Sequence, residues 1–256
     1  MMCTHQICHS FALDMNSLII EIPAIADLAL EIMKRVIDEN EKTQKINDEQ
    51  SGPVPLASAL SEFFQIASSV ENGEQSQDIK VISELAHYTM DLVDRLQSQL
   101  WYLDIHDQRD NLSRLFACLA AWFARQNAIL ENLKGAADSF AILVNGENES
   151  KELANLSRLM DEVLEAASDE LKKDEDKSDQ WRPWRVLNLN SGVAATRSFD
   201  AQLMQDTFEK MGHRLPDELP GFFTDGKRQV ATQEVPEGVR DVMNKYVEKW
   251  PAPSTH

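Results

Sequence analysis

The sequence predicts an all-α fold of about nine to ten helices arranged as antiparallel helical hairpins, either an α-solenoid or a compact helical bundle. Three observations lead there. Apolar residues recur at three- and four-residue spacing through most of the chain. Turn residues, mainly Asn, Gly and Pro, punctuate them, giving a helix–loop–helix rhythm of roughly 35 to 45 residues. No stretch alternates apolar and polar residues strictly enough to predict a sheet.

The first stripe runs through Ile20, Ala24, Leu28, Ile32 and Val36, with Pro23 placed for a first turn. A polar linker over 40–55, ending in Ser51, Gly52 and Pro53, precedes a short helix over 56–70 that closes at Asn72 and Gly73. Ile79, Ile82, Leu85, Ala86, Leu92, Val93 and Leu96 form the next stripe. After a turn over 104–110, the positions from Leu112 to Leu133 predict one long helix, interrupted at Gly135. A shorter segment then ends at Val144, before Asn145 and Gly146. The regular spacing from Leu153 to Leu171 predicts a further helix that dissolves into charges at 172–179. Helices are then expected to about Thr196, from an Asp200 N-cap through Met211, and from first turns at Pro216 and Pro236. The last carries Val239, Val242, Met243, Tyr246, Val247 and Trp250 on one face.

The formal charge of −18 argues against nucleic acid and anionic membrane surfaces as partners. Residues 1–180 hold 15 Lys+Arg against 33 Asp+Glu, and residues 181–256 hold 10 against 10, so the whole imbalance precedes Trp181. That shift separates an acidic helical part over 15–178 from a charge-neutral helical part over 179–256 packed on it as one unit, while residues 1–14, which carry no helical stripe, are expected to be a disordered N-terminal extension. Cys3, Cys8 and Cys118 make no disulfide framework. The start lacks a secretory signal, and the apolar run Leu115 to Ala124 is shorter than the roughly 20 residues of a membrane span. A cytoplasmic protein is expected.

Few motifs suggest chemistry. Glu84-x-x-His87 with Asp91 has the spacing of a carboxylate–histidine metal motif. The helical wheel, however, sets the three residues opposite the apolar stripe, and no second such pair follows. Cys3, His5, Cys8 and His9 carry zinc-type ligands crowded into seven positions. Gly221-x-x-x-x-Gly226-Lys227 approaches a phosphate-binding loop but has Arg228 where Ser/Thr is needed, Phe222 and Phe223 within the loop, and no preceding strand. Gly192, Phe208 and Pro216 match tetratricopeptide spacing, whereas Asn188 and Ala195 replace that motif's first-helix aromatics, so no repeat family is assigned. Cys118 lies on the apolar side of its helix as inert packing.

Trp181, Arg182, Trp184 and Arg185, with Arg197 further along, combine the residue types that dominate interface energetics. They are the candidate partner-binding residues, with core anchoring and pairing to the acidic part as the competing reading. The expected function is a non-catalytic protein–protein interaction scaffold that binds a protein partner or self-associates as a homo-oligomer, with no cofactor. The alternative is a metal-dependent enzyme using Glu84, His87 and Asp91, which a buried His87 would favour.

Overall fold

The computed structural model describes residues 18–48, 50–75 and 78–252. The expected extension over 1–14, with Cys3, His5, Cys8 and His9, lies outside them. Helix accounts for 74% of the structure, with eleven helices and no strand among the described residues. No described helix is long and apolar enough to cross a membrane.

Local chemistry sets the helix ends. α1 (Ile22–Thr43) starts with Pro23 in its first turn and ends at Gln44, whose φ of 51° stops the spiral. α2 (Pro53–Glu71) also opens on proline and closes through Asn72 and a left-handed Gly73 at φ 72°. The Asp78 carboxylate accepts from the Lys80 and Val81 amides to cap α3 (Ile79–Tyr102). α4 (Arg109–Arg125) is buried at every position from Leu115 to Phe123, so it runs through the centre of the molecule. Its Trp122 indole donates to Glu71 at 2.8 Å.

The single helix expected over 112–133 ends instead at Arg125. Asn127 takes a left-handed φ of 61°, and the chain then has no helical form as far as Leu130. There the Leu130 amide donates to the Ala166 carbonyl at 2.8 Å, and the Ser168 amide donates to the Leu130 carbonyl at 2.9 Å. This one-residue bridge also breaks the helix expected over 153–171 into α6 (Ser150–Glu165) and the short α7 (Asp169–Lys173). Leu130 and Leu133 are buried despite lying outside α4, which is why the apolar spacing crosses the break.

α5 (Lys134–Gly146) and α6 follow, and α8 (Pro183–Arg197) packs on both. α9 (Ala201–Arg214) starts with the Asp200 carboxylate accepting from the Leu203 amide at 3.0 Å, as expected. α10 (Leu219–Thr232) opens at Pro220 rather than Pro216, which falls in the preceding turn. Pro236 stands at the N-cap of α11 (Glu237–Lys249).

α4 packs against α1, α3, α5 and α6, and α8 reaches back past α7 to α5 and α6. A solenoid hairpin would touch only its sequence neighbours, so the arrangement is a bundle. One large core spans α1 to α8, while a second is built from α9, α10 and α11 around Phe208, Phe223, Met243 and Tyr246. α8 serves both: Trp184, Leu187 and Ala194 enter the first core and Ala195 the second.

Candidate functional site: the groove between α8 and α10

The two cores leave a groove lined by α8 on one side and α10 on the other, a cavity of about 360 Å³. Arg185, Leu189, Val193 and Arg197 recur every four residues along its α8 wall. Glu218, Gly221, Phe222, Asp225, Gly226 and Gln229 form the α10 wall at helical three- and four-residue spacing, and Met243 of α11 completes the lining. The middle is apolar and the ends are charged, as in many ligand and peptide sites.

Glycines determine how near the walls come. A Cβ at Gly192 would lie 2.6 Å from Met211 Sδ and 2.8 Å from Phe222 Cζ, so only glycine lets α9 and α10 approach α8 there. Phe222 itself packs edge-on against Phe208 at 5.7 Å between ring centroids. Gly221, by contrast, has nothing within 4 Å of its would-be Cβ, leaving α10 with bare backbone toward the groove.

The end near the α10 N-terminus is an ion network. Arg182 makes a paired contact with Asp174, at 2.5 Å from Nε and 3.0 Å from Nη2, and donates to Glu218 at 3.0 Å and to the Asp179 carbonyl at 3.0 Å. Arg185 Nε lies 2.8 Å from Glu218 but off the line of its N–H, so that contact is electrostatic; its Nη1 donates to the Gln180 carbonyl at 3.0 Å. Glu218 is held below the ordinary glutamate range, by Arg185 first, with Arg182 adding to the effect and burial opposing it. Its carboxylate therefore neutralises this end.

At the other end, Arg197 Nη1 donates to the Val144 carbonyl at 2.5 Å and Nη2 to the Glu147 carbonyl. These bonds cover the C-terminus of α5, where a cation meets the negative end of the helix dipole. Among the described residues no carboxylate lies within ion-pair distance of Arg197.

The five expected binding residues are thus divided. Arg185 and Arg197 line the groove. Arg182 is buried in its ion network, and Trp184, 3% exposed, belongs to the first core. Trp181 is 83% exposed and lines no cavity described at this site. Sequence reasoning missed Leu189, Val193, Gly221 and Phe222. Two glycines within an amphipathic helix were the available signal, read there as a failed phosphate loop. Gly221, Gly226 and Lys227 are all helical in α10, so no loop exists to surround a phosphate.

Glu84, His87 and Asp91 stand on the exposed face of α3, with His87 3.7 Å from Asp91 and Glu84 3.9 Å from Lys80. No group of three or more His, Cys, Asp or Glu suited to a metal ion occurs among the described residues. Burial pushes the Cys118 thiol up to about 12, far from the thiolate a nucleophile needs.

No family model, curated protein or solved structure matches the chain.

Proposed function

We propose that the chain is a non-catalytic helical scaffold whose α8–α10 groove receives a segment of a protein partner. The observation that carries this reading is the groove itself: two helical walls that bring Leu189, Val193 and Phe222 to one cavity, with a glycine backbone left uncovered at Gly221. Arg185 and Arg197, two of the residues expected to bind a partner, flank that apolar stretch. The exposed position of His87 gives the metal-enzyme alternative no support, since a dry, shaped metal site requires burial.

Native mass spectrometry of the protein isolated from its own cells without chelator tests the reading, with Gly221→Leu run alongside the wild type. A Cβ at position 221 meets no other atom within 4 Å, so the backbone there accepts a side chain, and leucine adds apolar bulk on the groove side of α10. A stoichiometric protein partner retained by the wild type and lost from Gly221→Leu supports docking in the groove. An assembly that survives the substitution overturns it, as does a stoichiometric metal ion that disappears with Glu84→Ala and His87→Ala.

A further inference from the structure

Resting on that reading of the groove, we infer that its occupant is an acidic amphipathic helix, with apolar side chains between α8 and α10 and a carboxylate on Arg197.

The shape argues for a helix. From Arg185 to Arg197 the α8 wall is about 18 Å long, or three helical turns. The Arg185–Glu218 contact and the approach of Phe222 to Gly192 follow the same chain order along α8 and α10. Two such walls present a trough into which a third helix fits through residues at i, i+4 and i+7. Gly221 removes the side chain that would hold that helix off the α10 backbone.

The charge argues for a carboxylate. Glu218 is shared between Arg182 and Arg185, and Asp174 completes the balance around Arg182. Asp225, the other acidic residue of the walls, pairs with Arg228 at 3.2 Å. Arg197 is the groove cation left with main-chain carbonyls alone. A guanidinium has five N–H donors, of which the Val144 and Glu147 carbonyls engage two. The remaining donors, and a charge that the α5 carbonyls meet only in part, suit an Asp or Glu at that end of the incoming helix. A basic residue there would face Arg197 with no carboxylate between them.

The probe is a blocked, fluorescently labelled helical peptide of about four turns, with leucine at i, i+4 and i+7 and glutamate one turn beyond. Otherwise identical peptides carry glutamine or lysine at that last position. Anisotropy titrations should show the glutamate peptide binding about tenfold more tightly than the glutamine peptide. The lysine peptide should bind more weakly still, and the glutamate preference should shrink as salt is raised. Gly221→Leu should abolish binding of all three, while Arg197→Met, checked for fold by circular dichroism, should make the glutamate and glutamine peptides equal. If Arg197→Met misfolds, the ranking of the three peptides on the wild type decides alone. Equal glutamate and glutamine binding that Gly221→Leu abolishes overturns the carboxylate assignment and leaves the docking groove standing. Absence of binding, or binding indifferent to Gly221→Leu, overturns both.

Discussion

Ser157 and Ser191 each donate a side-chain hydrogen bond to the other's main-chain carbonyl, at 3.1 and 3.3 Å, across the contact between α6 and α8. Both are buried, and their small side chains let the two backbones come this close. Ser191→Leu must force the helices apart and should cost about 1–3 kcal/mol, whereas Ser191→Ala should cost about 1 kcal/mol. Urea unfolding of the two variants measures the difference; equal midpoints would show that the approach of α6 to α8 is not tight.

The Trp/Arg segment should separate by burial. Trp184→Ala should destabilise by about 3 kcal/mol or more, as expected when a core indole is removed. Arg182→Met should cost about 3 kcal/mol, because it leaves Asp174, whose side chain is 7% exposed, without its cation. Trp181→Ala should stay within about 0.5 kcal/mol of the wild type. Thermal melts of the three variants provide the check, and a large loss with Trp181→Ala would contradict its exposed placement.

Acid should weaken the Glu218 network. A carboxylate whose pKa is depressed on folding contributes stability above its unfolded value and loses that contribution as pH falls through the folded one. Glu218 is depressed, so the stability gap between wild type and Glu218→Gln should be full near neutrality and close as pH drops below about 4.3, the ordinary glutamate value. Denaturant unfolding across that range reads the gap. A gap that widened on acidification would reverse the sign of the coupling.

Cys118 should resist thiol reagents in the native protein. It is 4% exposed and its thiol is raised to about 12 by burial, so little thiolate is present at pH 8. Peptide mass spectrometry after alkylation should find Cys118 modified only when denaturant is added. Rapid modification in buffer alone would mean that α4 opens readily.

Helix type was plain in the sequence because the stripes of α1, α3, α6 and α11 each repeat over several turns. The first-turn Pro23 and the caps Asp78 and Asp200 share that local logic, and of these Pro23 and Asp200 are named from the sequence alone. What escaped was tertiary. The Leu130–Ala167 bridge joins residues 37 positions apart and breaks two helices whose apolar spacing continues across the gap. Half of the proposed site was visible as Arg185 and Arg197. The apolar half was not, since Leu189, Val193 and Phe222 resemble core residues until the partial separation of α8 from α10 is known.

The seam between the two cores does not coincide with the change in charge. Acidic excess ends before Trp181, but α8, which begins just beyond it, supplies Trp184, Leu187 and Ala194 to the first core, and Leu215 beyond α9 joins them. Cutting the chain at the charge boundary would therefore strip the larger fragment of part of its interior and leave the smaller one with an uncovered α8 face. Any dissection of this protein into expressible pieces has to keep α8 with the helices before it, and then the last three helices lose Ala195 and one wall of the groove.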